Sequence, residues 1–327
     1  MLINIFLANF LFSIISVLIL RKLLLRFRLK GVYIEKVDRK ITKIGGMVIL
    51  LSLLVSSLIL GKRFFLFKSL YFTLFITAFL VFLLGMIDDL KELKAWQKFL
   101  GEMVIVLFFL FISNLTTEVI YLPRFVNFFI TLFWILGITN AFNLLDIQDG
   151  LSTGVSFLIS LAFLYLAYPT GNKIVVEISL LLSSSLLAIL IFNFPPAKIY
   201  LGDSGSLSLG YIFSILAILI SYAKASHEIA LLSPIFILGF PIFDTVFVSL
   251  RRLSKGKSIF KRSDDHFIIC LLKKRNQLRC LLICYFLTLA FIILGILFTK
   301  LTNFASFILI LLFLTFLIPY SLKLSRN

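Results

Sequence analysis

"FVNFFITLFWILGITNAFNLLDIQDGL", residues 125–151, decides the fold. Its first part, Phe125 to Thr139, is an apolar run, and Asn140, Asn143, Asp146 and Asp149 then follow at three-residue spacing. An apolar run of this kind that ends in evenly spaced amides and carboxylates reads as a membrane-crossing helix with a polar end. Comparable runs recur along the chain, separated by short polar segments, and no soluble domain of ordinary size fits between them.

The composition agrees. The 327 residues are 61% hydrophobic with a mean hydropathy of +1.12, far above a soluble domain. The expected fold is an all-α, polytopic integral membrane protein in one domain, 1–327, with the active site at its cytoplasmic face. Eleven spans are expected, or ten: 2–20, 44–61, 69–87, 98–113, 126–143, 151–168, 174–192, 207–223, 229–250, 279–298 and 303–322. The first lacks a basic leader and a small-residue cleavage site, so it reads as a helix and not as a signal peptide. With the N-terminus outside, cytoplasmic segments hold 25 of the 32 Lys and Arg, which is the bias of the positive-inside rule and places the C-terminus inside. The net charge of +17 is largely juxtamembrane and needs no nucleic-acid partner. Cys270, Cys280 and Cys284 have no metal-type spacing and read as free and inert.

The chain has only 15 acidic residues, and many of them gather at the ends of spans. Asp88, Asp89 and Glu92 stand in "GMIDDLKE", Asp146 and Asp149 end the fifth span, and Asp203 lies in "NFPPAKIYLGDSGS". Asp244 is near the end of the ninth span, with Asp264 and Asp265 in the loop after it. Carboxylates at the edge of hydrocarbon cost several kcal/mol each unless compensated, so their convergence at one depth marks a functional site. A hard divalent cation such as Mg²⁺ would compensate them and leave ligand positions for substrate phosphates. In "GDSGS" the glycines permit close backbone approach, while Ser204 and Ser206 precede a helix N-terminus that favours an anion.

These residues resemble a known family, the polyprenyl-phosphate N-acetylhexosamine-1-phosphate transferases of the WecA, TagO and MraY types. The resemblance runs through "VDRKITKIGG" at 37–46, "GMIDDLKE", "NAFNLLDIQDGLSTG", "FNFPPAKIYLGDSGSLSLG" and "PIFDTVFVSLRRLSKGKSIF". It implies Mg²⁺-dependent transfer, with Mn²⁺ able to substitute, of a sugar-1-phosphate from a UDP-sugar to a polyprenyl phosphate such as undecaprenyl phosphate. The products are polyprenyl-diphosphate-sugar and UMP, in the first membrane step of cell-envelope glycan synthesis. It further implies that Asp203 and Asn143 hold the metal, that Asp88 and Asp89 lie at the lipid phosphate, and that Asp146 and Asp149 complete the catalytic carboxylates. Asn140, Asn193, Lys198 and Ser204 would contact substrate, with Arg251, Arg252, Lys257 and Arg262 as diphosphate clamps. A homodimer is also implied. Glu92 after the Asp pair and "FNFPPAK" place the chain nearer the WecA/TagO branch, with UDP-GlcNAc as donor, than the branch handling the peptide-bearing muramoyl precursor.

Two departures stand out. The family's "HIHH" motif is reduced here to "DHFII", in which His266 remains as a substrate contact while Ile268 and Ile269 replace two histidines. In "DIQDG", Ile147 and Gln148 stand where the family often has smaller residues. Alternatives of other classes are an intramembrane prenyltransferase, which would need a second Asp-rich motif and release inorganic diphosphate, and a transporter, whose site would lie near the midplane.

Overall fold

The computed structural model describes residues 2–27, 32–36, 39–60, 70–117, 122–220, 232–257 and 265–325. Arg262 and Asp264 lie outside the described residues, as does part of the eighth-to-ninth-span connection. Among the described residues seven helices are long and apolar enough to cross a membrane, and three shorter apolar helices accompany them. The chain, expected as one domain, groups into two compact units, Met1–Ile218 and Leu219–Asn327.

The first unit contains α1 (Leu2–Phe27), α2 (Gly45–Leu60), α3 (Leu70–Lys91), α4 (Ala95–Ser113), α5 (Arg124–Leu145), α6 (Leu151–Ala167), α7 (Lys173–Asn193) and α8 (Gly202–Leu219). Three short strands, β1 (Tyr33–Lys36), β2 (Arg39–Lys43) and β3 (Ile199–Tyr200), interrupt the helices. β1 and β2 form an antiparallel hairpin with Tyr33 opposite Thr42, and β2 runs parallel to β3 with Lys43 opposite Tyr200. This sheet ties the 37–46 motif to the loop before α8, two segments far apart in sequence. The Gly46 amide continues the tie by donating to the Leu201 carbonyl at 3.1 Å.

α8 is buried nearly throughout, so neighbouring helices must approach it closely. A Cβ on Gly85 of α3 would stand 2.5 Å from the Ser204 Cα, and one on Gly46 of α2 would stand 2.6 Å from the Gly205 nitrogen. Only glycine fits at those crossings, in keeping with the small residues at membrane helix interfaces. α1 is a structural member of the bundle: Asn9 Nδ2 lies 3.0 Å from the Leu181 carbonyl, 2.6 Å from Ser184 Oγ and 3.1 Å from Ser185 Oγ on α7. Its other face, including Leu7, Leu11 and Leu18, is exposed, as suits a lipid-facing surface.

The second unit contains α9 (Ser233–Ile237), α10 (Gly239–Ser254), α11 (Phe267–Leu272), α12 (Gln277–Phe298) and α13 (Asn303–Ser325). The ninth span, expected as one helix over 229–250, is broken at Leu238. Pro241 sits in the first turn of α10, where its missing N–H leaves no vacancy in the helix ladder. α10 is two-faced, with Asp244, Phe247, Val248, Arg251 and Arg252 buried and Val246, Leu250 and Leu253 exposed. The three cysteines are free and buried.

Candidate active site

The up-and-down order of the first unit brings the end of α3, the start of α4, the end of α5 and the start of α8 to one end of the bundle. Each of these termini carries polar side chains, and they meet. Lys98, one turn into α4, donates to Asp88 Oδ2 on α3 at 2.8 Å, to Asn143 Oδ1 on α5 at 2.9 Å and to Asp203 Oδ1 on α8 at 2.9 Å. An ammonium has three N–H groups, and all three are engaged. Asn143 Nδ2 also donates to Asp203 Oδ1 and, at 3.0 Å, to Ser206 Oγ. Asp88 Oδ1 accepts the Leu93 amide at 2.7 Å, which holds the turn between α3 and α4.

Two carboxylates and one amide thus surround a single cation position. Among the described residues no group of three or more His, Cys, Asp or Glu side chains is placed to hold a metal. The cation at that position is the Lys98 ammonium, held by hard carboxylate and amide oxygens.

Asp89 has a different task. Its Oδ1 accepts the Asp203 amide and its Oδ2 the Ser204 amide, both at 3.1 Å, and Lys43 Nζ lies 3.0 Å from Oδ1. A Cβ on Gly202, where φ is +78°, would lie 2.8 Å from Asp89 Oδ2, so glycine is needed there for both backbone conformation and space. Asp146, which follows α5, accepts the Gly202 amide. Burial, together with the Asp203 and Asp89 carboxylates, pushes its carboxyl up to about 8. The first amides of α8, expected to receive a substrate anion, are therefore capped by the protein's own carboxylates. Ser204 is buried against the glycine crossings.

Asn193 is buried, with Oδ1 accepting the Gly150 amide at 3.1 Å and the Thr153 hydroxyl at 2.8 Å, while Nδ2 donates to the Ile199 carbonyl at 2.9 Å. Asp149 Oδ2 accepts the Ala197 amide at 3.1 Å. These two residues of the motifs shape the loops on either side of the site. Asn140 donates to Glu102 Oε2 and, at 2.9 Å, to the Leu136 carbonyl. Lys198 is exposed.

Three residues escaped the sequence reading: Lys98, Lys43 and Glu102. The signal for Lys98 was a basic residue one turn inside an apolar helix, at the depth where the acids collect. Lys43 was quoted only as part of a motif, because its partner Asp89 is reached through the β2–β3 pairing.

In the second unit, Asp244 Oδ2 is 2.7 Å from His266 Nδ1, and Oδ1 accepts the Phe267 amide at 2.9 Å. Arg251 Nε lies 3.4 Å from Asp265 Oδ1, which also pairs with Lys255. Arg251, Arg252 and His266 are buried, and Lys257 is exposed. The expected clamp residue Arg251 is thus engaged inside its own unit, and His266 is oriented by Asp244.

A family model described as "Glycosyl transferase family 4" matches residues 71–221, the stretch that holds every residue of the cation cage. The probable undecaprenyl-phosphate N-acetylglucosaminyl 1-phosphate transferase of Bacillus subtilis is 32% identical over 271 residues, covering 79% of this chain and 74% of that protein. The phospho-N-acetylmuramoyl-pentapeptide-transferase of Lactobacillus gasseri is 33% identical over 245 residues, 68% of this chain and 73% of that protein. Its counterpart from Halalkalibacterium halodurans is 34% identical over 249 residues, 68% and 72% of the two chains. The helical spans, the polar end of the bundle and these likenesses agree: the chain belongs to glycosyl transferase family 4 and is a multi-pass membrane transferase.

Proposed function

We propose that the protein transfers N-acetylglucosamine-1-phosphate from UDP-GlcNAc to undecaprenyl phosphate, giving undecaprenyl-diphosphate-GlcNAc and UMP. The observation that carries this reading is the cage of Asp88, Asn143 and Asp203 oxygens around one cation position. The Bacillus relative supports the choice of donor, since its match extends over 79% of the chain against 68% for the muramoyl-pentapeptide transferases. The muramoyl-pentapeptide precursor is the second reading, favoured by those relatives.

In this chemistry an oxygen of the lipid phosphate attacks the β-phosphorus of the UDP-sugar, and the bond from that phosphorus to the bridging oxygen breaks, releasing UMP. The attacking oxygen is already ionised at neutral pH, so the protein mainly has to hold two anions in line. Asp203 and Asn143, with Asp88, would hold Mg²⁺, for which Mn²⁺ can substitute; the ion would neutralise the diphosphate. Lys98 and Lys43 add positive charge at the same end, Asp89 and Asp146 fix the start of α8, and Asn193 and Asp149 fix the adjoining loops. The Lys and Arg bias supports a cytoplasmic position for this end, where UDP-sugars reside. A homodimer is compatible with this reading and is not needed by it.

The test is UMP release by the purified protein in detergent with undecaprenyl phosphate and Mg²⁺, offered UDP-GlcNAc, UDP-GalNAc and UDP-MurNAc-pentapeptide in parallel. Release from UDP-GlcNAc alone, requiring the lipid and Mg²⁺, is the expected result. Release from the pentapeptide substrate alone would transfer the chain to the second reading.

A further inference from the structure

Beneath the cation cage lies a second polar layer. Glu102 is one turn beyond Lys98 on α4, and Asn140 is one turn before Asn143 on α5. Glu102 is 1% exposed, and its Oε2 accepts from Asn140. Its Oε1 is buried and has no hydrogen-bond partner among the described residues. A buried carboxylate oxygen left without a donor is costly, and a site that retains one has a reason to do so. Residues four apart on a helix share a face, so the Lys98 ammonium can reach Glu102 by a change of rotamer, and the two groups already interact electrostatically.

The three N–H groups of Lys98 meanwhile occupy the oxygens that a divalent cation would need. An ammonium and a divalent ion cannot share that position. We propose that Lys98 is the resident cation of the metal-free site, and that its ammonium moves to Glu102 Oε1 when a divalent cation enters. The charges support the exchange: the divalent ion balances Asp88 and Asp203, and Lys98 then balances an ionised Glu102. The unpartnered oxygen is the vacant seat for that second state. The metal-free cage also avoids the repulsion of two bare carboxylates, which keeps the helix ends assembled before substrate arrives.

This inference rests on the proposed metal role of the cage, and the experiment separates the two. Mn²⁺ binding to the purified full chain in detergent is followed by loss of the free-ion electron paramagnetic resonance signal, alongside thermal unfolding with and without Mn²⁺. Glu102→Gln keeps the shape and the Asn140 contact while removing the charge. It should weaken Mn²⁺ binding about tenfold, the scale of losing one partly buried ion pair, and should not lower the melting temperature of the metal-free protein. Lys98→Gln should tighten Mn²⁺ binding and lower the metal-free melting temperature, and adding Glu102→Gln to it should then leave Mn²⁺ affinity unchanged. Equal weakening by Glu102→Gln in both Lys98 backgrounds, or a lower metal-free melting temperature for Glu102→Gln, would make Glu102 a structural residue and overturn the exchange. If Lys98→Gln does not fold, the Glu102→Gln pair of measurements decides alone. Asp203→Asn is the control: Mn²⁺ affinity indifferent to it would remove the metal site itself.

Discussion

Two polar regions of the first unit are both surrounded by apolar helix. At the end of the bundle, Asp88, Asn143 and Asp203 surround a lysine. Along α7, Asn9 of α1 meets the Leu181 carbonyl and two serines, and Ser52 of α2 meets Ser185. The seam uses neutral groups, which joins helices at little electrostatic cost. The cage uses two carboxylates and the lysine that balances them. Polarity in a membrane bundle thus separates into cohesion, where groups are neutral, and chemistry, where charge converges from several helices onto one point.

The comparison can be broken most severely at the cage. Asp203→Asn should lower kcat/KM by about three orders of magnitude or more, the scale of losing one preorganised electrostatic group, while the protein still unfolds cooperatively near its usual temperature. Loss of folding instead of activity would place Asp203 with the cohesive groups. Asp89 tests the border between the two regions, being charged yet employed as a cap. Asp89→Asn should cost about 2 kcal/mol of stability through the weakened contacts to two amides and to Lys43, read as a lower midpoint in a denaturant titration. Activity per folded molecule should fall far less than for Asp203→Asn.

A smaller effect concerns protons. The Asp146 carboxyl, pushed up to about 8, holds its proton below that pH. A divalent cation entering nearby favours the ionised form, so Mn²⁺ affinity should rise with pH and level off above about 8. The gain between pH 7 and 8 should reach up to about fivefold for one linked proton. Asp146→Asn should flatten that slope, and a slope unchanged in the variant would assign the proton elsewhere. The smallest effect belongs to the seam: Asn9→Leu should cost about 0.6 kcal/mol, a typical value for a hydrogen bond between membrane helices, with turnover preserved. A large loss of turnover in that variant would mean that the seam is more than cohesion.

Much of the candidate site was legible because carboxylates and amides are rare in so apolar a chain. Asp88, Asn143 and Asp203 could be read as one group before any contact was known, since each ends or begins a span on the same side. The same residue types also serve the backbone. Ser204 and Asn193 belong to motifs and carry hydrogen-bonding groups, yet both are buried and spent on local architecture. The break in the ninth span was hidden for another reason: hydropathy averages over the window and hides a helix that restarts at a proline.

The sequence by itself determined that the chain is a helical membrane protein, roughly where its spans lie, and that Asp88, Asp146 and Asp203 stand at helix ends, because the cost of burying polar groups in hydrocarbon leaves few arrangements. Only the tertiary structure decided which polar groups face one another. Lys98 meets its three oxygens because α3, α4, α5 and α8 converge, and Lys43 reaches Asp89 because β2 pairs with β3. Whether a carboxylate holds a cation or caps a helix depends on direction and distances of about 3 Å, and spacing along the chain does not encode these.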